Sequence, residues 1–158
     1  RVWRVGADID TDVLAPGAYM QHGIEVIAQH CLESVRPEFA SAVRPGDVLV
    51  AGANFGIGSS REQAAGALLH LGVSAVIATS FSGLFFRNAF NLGLLLLTSE
   101  QALNLQEGEP LRFDGQQVHR ASGEVLRCSP IPDFLLDMVR AGGLLNLLKQ
   151  QTHRSMPL

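Results

Sequence analysis

The chain has 158 residues, 47% hydrophobic and 17% charged, with a formal charge of -3 and a pI near 5.9, which is the size of one domain with a sizeable core. No basic stripe or aromatic platform suits nucleic acid, and apolar runs such as residues 92–97 are far too short to cross a bilayer. The chain opens on Arg1 rather than methionine, and nothing at its start resembles a signal peptide, so a cytoplasmic protein with no nucleic-acid or membrane partner is expected.

Near the start, Asp8-Ile9-Asp10-Thr11-Asp12 invites a calcium-loop reading, but the position that needs glycine is Val13 and the one that needs glutamate is Tyr19, so calcium is rejected. Residues 24–32 have helical character, and Arg44-Pro45-Gly46-Asp47 is a turn ahead of a strand over 47–51. The spacing then predicts a helix over 62–71 stopped at Gly72, a buried strand over 73–79, a helix over 84–91 stopped by Gly93, and a strand over 94–98. Two successive strand–helix–strand units imply a parallel element. Asp114-Gly115 and Ser122-Gly123 divide residues 111–128 into short antiparallel strands, and helical spacing returns over 132–150, interrupted by Gly142-Gly143. The fold class is α/β with hairpins towards the end.

The segment that invites chemistry is Asn54-Phe55-Gly56-Ile57-Gly58-Ser59-Ser60-Arg61-Glu62-Gln63-Ala64, between the strand ending at Ala51 and the following helix. The first amides of a helix lack intrahelical partners and its dipole is positive there, so carboxylates and phosphates are attracted to that end. Gly56 and Gly58 remove Cβ atoms that would keep an anion from the backbone, and Arg61 adds a planar two-pronged donor. A dinucleotide fingerprint would need a small residue at Arg61, a phosphate loop would need a lysine, and a nucleophile elbow would need glycine two residues either side of the serine. All three fail. What remains is an anion cradle with a serine nucleophile or base, or an ordinary helix start in which Ser59 with Glu62, or Ser60 with Gln63, forms a capping box.

Cys31 and Cys128 are far apart and belong to no Cys-x-x-Cys arrangement, so this chain offers neither a disulfide framework nor iron–sulfur ligands. Cys31 reads as a small core hydrophobe on a helix. The five histidines form no His-x-x-x-His pair, and no metal site is expected.

The run from Gly52 to Ala64 resembles the signature of the aconitase-superfamily swivel domain, in the form carried by isopropylmalate isomerase (dehydratase) small subunits. Two companions agree in order: Asp8-Ile9-Asp10-Thr11-Asp12-Val13 with Pro16 and Tyr19, and Ser80-Phe81 with Phe85-Phe86-Arg87-Asn88-Ala89-Phe90-Asn91-Leu92-Gly93. The likeness covers roughly residues 5–150. It implies a single β/β/α three-layer domain over residues 1–158, with a mixed sheet, antiparallel hairpins and a tail at 151–158. It also implies a hydro-lyase that dehydrates and rehydrates isopropylmalate in leucine biosynthesis, active only with a large subunit. That partner would carry a [4Fe-4S] cluster, with no cofactor in this chain.

Matched position by position, Ser59 is the residue the family uses as an alkoxide-like base beside a substrate carboxylate. Ser60 and Arg61 match positions that hold that carboxylate, and Thr11 and Asp12 match polar residues lining the pocket. A local Asx-turn or an ion pair explains Asp12 equally, and Arg87 with Asn88 either reaches the site or pairs within the domain. Tyr19-Met20-Gln21-His22 stands where many relatives have Tyr-Leu-Arg-Thr, whose arginine recognises the variable part of the substrate, and Gly83 replaces another common arginine. The implied binding residues thus include Tyr19, Met20, Gln21 and His22. Isopropylmalate is the default acid, with dimethylmalate or homocitrate as alternatives, and a non-catalytic anion-binding module is the reading from another class.

Overall fold

Strands β1 (Val2–Arg4), β2 (Val48–Ala51), β3 (Ala75–Ala78) and β4 (Leu95–Thr98) lie side by side in chain order and all run parallel in the computed structural model, which describes residues 1–155. Every residue of β2 and β3 is buried. Both strands are unbroken runs of valine, leucine, isoleucine and alanine, the pattern of a sheet covered on two faces rather than one.

Because the strands follow one another in order, the connections must carry the covering helices. Helix α4 (Glu62–His70) joins β2 to β3, and α5 (Gly83–Leu92) joins β3 to β4, stopping at Gly93 in the left-handed conformation. Helix α4 buries small residues, Ala64, Ala65 and Ala67, and the preceding α2 (Ile24–Gln29) packs closely on it. The shorter α1 (Thr11–Leu14) also packs on α4, and α3 (Phe39–Ala42) on α2. Helix α6 (Asp133–Ala141) lies on α5, and α7 (Leu144–Ser155) on α6. Strands β5 (Leu111–Asp114), β6 (Gln117–Arg120) and β7 (Val125–Leu126) form a separate antiparallel sheet in that order, with β5 and β6 joined by the tight turn at Gly115. Among the described residues no helix is long and apolar enough to cross a membrane.

The expected mixture of parallel and antiparallel pairing is present, but it is divided between two sheets instead of carried by one. The run expected to be helical over 24–32 stops at Gln29, because Leu32 turns back at a φ of 63° and its amide bonds to Val13 O at 2.9 Å. Cys31 is fully buried in that turn rather than on a helix. Helix α7 runs through Ser155, so the segment expected to be a tail from residue 151 is helical that far, and 156–158 lie outside the described residues.

Asp47 fastens the start of the parallel sheet. It is 5% exposed, and its carboxylate accepts Trp3 Nε1 at 2.9 Å, the Arg44 amide at 2.9 Å and Arg1 Nε at 3.2 Å. Burial by itself would raise this carboxyl's pKa, but the Arg44 amide, the Trp3 indole and Arg1 outweigh it and hold the pKa below its ordinary value. A depressed folded pKa means stability that is fully present above the unfolded value, about pH 4, and lost as pH falls through the folded value. Asp47→Asn should therefore flatten the acid-side decline in urea stability below about pH 4, and at pH 7 it should cost about 1–3 kcal/mol. An unchanged slope between pH 3 and 5 would refute that role.

Candidate active site at the carboxyl edge of the parallel sheet

All four parallel strands point their carboxyl ends to one edge, where open α/β sheets bind ligands. The loops leaving β1, β2 and β3 at this edge carry the three segments singled out in the sequence. Their pairing continues beyond the strands: Asp10 bridges Ile57 and Phe55 bridges Phe81, both parallel. The amide of Asp8 donates to Ala53 O at 2.8 Å, Gly56 to Ile9 O at 2.7 Å, Thr11 to Ile57 O at 2.8 Å and Phe55 to Ser80 O at 3.0 Å. Phe55 lies fully buried beneath, edge-on to Phe81 and Phe85 at 5.8 and 5.2 Å between ring centroids.

Two glycines let this layer form. Gly56 has a φ of 83°, and a Cβ there would stand 2.2 Å from Phe85 Cγ. Gly58 has a φ of 110°, and its Cβ would approach Thr11 Oγ1 to 3.0 Å. Both positions therefore require a residue without a side chain. The chain emerges on a ledge at which Gly58, Ser59 and Ser60 are exposed.

Neither serine caps the helix. The residue at the cap of α4 is Arg61, and it makes no side-chain capping bond, so the capping-box explanation of the two hydroxyls is not realised. The amides of Ser59, Ser60 and Glu62, at the positive end of α4, donate to no group among the described residues. Ser59 Oγ lies 3.4 Å from Thr11 Oγ1, and Thr11 is only 3% exposed. Ser60 is held through its carbonyl, which accepts Asn88 Nδ2 at 3.5 Å. Arg87 is exposed and has no ion-pair partner among the described residues.

Arg61 and Asp12 form an ion pair, one of the local explanations open for Asp12. Arg61 Nη1 donates to Asp12 Oδ1 at 2.9 Å and to Ala15 O at 3.0 Å, while Nε and Nη2 have no partner among the described residues. The same Asp12 oxygen accepts the amide of Gly17 at 2.8 Å. The Arg61 hydrogen bond foremost, and the Gly17 amide next, hold the Asp12 carboxyl below its ordinary pKa. With the Asp12 side chain 66% exposed, the pair contributes at most about 1 kcal/mol to stability and serves mainly to aim the guanidinium. The Asx cap expected of this run belongs to Asp10, which accepts the Val13 amide at 2.8 Å.

Asp12 also ties Arg61 to the next loop, since Gly17 opens the turn Gly17–Tyr19. The four residues expected there divide into two pairs. Tyr19 and Met20 are partly buried and pack within the protein, Tyr19 against His30. Gln21 and His22 are exposed with their Nε2 atoms 3.5 Å apart. The structure thus gathers Thr11, Asp12, Ser59 and Arg61 into one cluster and ties the 19–22 loop to it by the Gly17 hydrogen bond. His30 was not visible in the sequence, because no spacing relates a loop aromatic to a helix end eleven residues on.

Desolvation pushes the fully buried Cys31 thiol far up, and it raises that of the half-buried Cys128 as well, so neither is poised as a thiolate. Among the described residues no three histidine, cysteine or acidic side chains converge to hold a metal ion.

Comparison with known proteins agrees with this architecture. Residues 16–102 match the aconitase C-terminal domain family. The methanogen homoaconitase small subunit of Methanothermobacter thermautotrophicus is 45% identical over 92% of this chain and 87% of its own length. The 3-isopropylmalate dehydratase small subunit 1 of Archaeoglobus fulgidus is 43% identical over 98% of this chain and 99% of its own length. The crystal structure of 3-isopropylmalate dehydratase from Methanocaldococcus jannaschii superposes with a TM-score of 0.89 at 35% identity, over 98% of this chain and 94% of that one. Homology over nearly the whole length places this chain in the aconitase C-terminal domain family, alongside the small subunits of 3-isopropylmalate dehydratase and homoaconitase.

Proposed function

We propose that the chain is the small subunit of a cytoplasmic hydro-lyase that dehydrates and rehydrates isopropylmalate in leucine biosynthesis, turning over only when joined to a large subunit. The observation that carries this reading is the placement of Ser59 Oγ on an exposed ledge beside unbonded amides, 3.4 Å from the buried Thr11 hydroxyl and close to an arginine with two free prongs. A serine oxygen is a weak base unless donors already face the charge it must bear. The Thr11 hydroxyl and the amides at the start of α4 are such donors. Ser59, as an alkoxide, then accepts the proton from the carbon next to a substrate carboxylate as hydroxide leaves the neighbouring carbon, and in the rehydration it delivers that proton to the neighbouring carbon as hydroxide adds to the first.

Arg61, aimed by Asp12, holds that carboxylate through Nε and Nη2, and the Ser60 amide and hydroxyl supply further donors. Asp12, already negative and committed to Arg61 and Gly17, does not bind the acid itself. Bound in the partner, a [4Fe-4S] cluster would supply Lewis-acid polarisation of the departing hydroxyl. The exposure of Gly58, Ser59 and Ser60 supports a half-site that a second subunit completes.

A second acid is favoured by one feature. Gln21 stands where many relatives carry a substrate-reading arginine, and a relative at 45% identity is a homoaconitase small subunit, so homocitrate or dimethylmalate is the alternative substrate. A non-catalytic anion module is distinguished by binding: it would retain simple dicarboxylates by itself, whereas half a site would hold them hardly at all.

Reconstitution with a cognate large subunit under anaerobic conditions tests the assignment. Ser59→Ala should lower kcat by roughly 10²–10⁴-fold, the range general-base catalysis contributes, with unfolding free energy changed by less than about 1 kcal/mol. Near-normal turnover by that variant would sink the assignment of the base. Arg61→Lys should instead raise KM, since an ammonium cannot make the two-pronged contact. Gln21→Arg should shift the kcat/KM ratio between isopropylmalate and homocitrate by about 1–3 kcal/mol, and an equal loss on both acids would show that the loop builds the site rather than selects the substrate.

A further inference from the structure

Tyr19 lies flat on His30, with ring centroids 3.6 Å apart and planes 4° from parallel. His30 is the residue that closes α2, and its Nδ1 is bonded to Glu33 Oε2 at 2.7 Å, so the plane of the imidazole is fixed from behind. The backbone around it is fixed as well: the His30 amide bonds to Ile27 O at 3.0 Å, and the Leu32 amide to Val13 O at 2.9 Å, which locks this turn to α1 beside the Ser59 cluster. On the other side of the stack, the His22 amide donates to Tyr19 O at 3.0 Å, and Gly17 is tethered to Asp12 at 2.8 Å. The loop is therefore held at its root by Asp12 and at its middle by the Tyr19 ring.

We propose that His30, oriented by Glu33, is a positioning residue for substrate selection: it clamps Tyr19 so that Gln21 and His22 stand together at the exposed tip of the loop. The proposal rests on the reading of the 19–22 loop as the part of the site that distinguishes one acid from another. Its physical basis is conformational entropy. A loop that samples many arrangements must be ordered on each binding event, and that cost weakens discrimination more than it weakens the shared contacts to the common carboxylates. A flat ring contact suits this task because it resists displacement of Tyr19 without adding any group to the substrate surface. His30 itself touches neither Ser59 nor Arg61 by any hydrogen bond, so the base and the carboxylate clamp are unaffected by its identity.

Tyr19 is the sole tyrosine of the chain, so a spectrum of protein labelled with ring-¹³C tyrosine reports the stack directly. In His30→Ala the Tyr19 ring signals should move towards free tyrosine, and in His30→Phe, which keeps a flat partner, they should stay displaced. In the reconstituted complex, His30→Ala should reduce the preference between isopropylmalate and homocitrate by roughly five- to tenfold, within the range that small pocket changes give, while His30→Phe stays within about twofold of the parent. Ring signals that do not respond to His30→Ala would overturn the stack. Ring signals that move with the preference unchanged, or an equal loss on both acids, would overturn the positioning role. Ser59→Ala measured in parallel separates the two levels: if it remains active, the reading of the site fails irrespective of what His30 does.

Discussion

The pairing between β1, β2 and β3 does not end where the strands end, and the rest of the site depends on this. The amides of Gly56 reaching Ile9 O at 2.7 Å, Thr11 reaching Ile57 O at 2.8 Å and Phe55 reaching Ser80 O at 3.0 Å turn three loops into one sheet-like layer. That layer can be laid down only if the backbone at Gly56 passes directly over the Phe85 ring, where no side chain fits. Phe85 in turn is fixed by α5, which packs on α4. The ledge bearing Ser59 thus inherits its position from the hydrophobic core, through an aromatic floor and a lattice of main-chain bonds. A site built in this way has little freedom to misplace its hydroxyl, the condition that proximity effects in catalysis require.

Much of this was legible in the residues. The α/β alternation over 47–98, the hairpin at Asp114-Gly115 and the helix start after Ser60 all follow from apolar period and turn chemistry, and they occur within a residue or two of the expected places. Features governed by tertiary contact were not legible. Strand β1 is three residues long and has no period of its own; it is a strand because β2 lies beside it and Asp47 fixes its start. The expected helix beyond Gln29 fails because Leu32 is claimed by Val13 across the chain, a bond no local pattern encodes. The site followed the same rule. The glycine–serine–arginine run announced an anion cradle, but whether its hydroxyls cap a helix or face outward was decided by Arg61 taking the cap position.

The ion pair of Arg61 with Asp12 shows how a modest interaction acquires functional weight. In stability it contributes little, because water surrounds most of the Asp12 carboxylate. In geometry it contributes a good deal. One oxygen accepts both the guanidinium and the Gly17 amide, so the orientation of the guanidinium and the root of the neighbouring loop are set by the same atom. The other prongs of the guanidinium are left without a partner among the described residues, and the charge of Asp12 keeps the arginine from turning towards solvent.

The openness of the ledge has a further consequence for the free chain. A hydroxyl bathed in water competes with bulk solvent for every donor around it, and its neighbours' dipoles are screened, so Ser59 in isolation has the chemistry of an ordinary surface alcohol. On the proposed reading, its reactivity would be an attribute of the dry, low-dielectric space formed when another surface closes over it. On that reading, unassembled copies of this chain would be chemically quiet: they would accumulate ahead of a partner without removing protons from the many dicarboxylic acids of a cell, and reactivity would arise only in the finished complex.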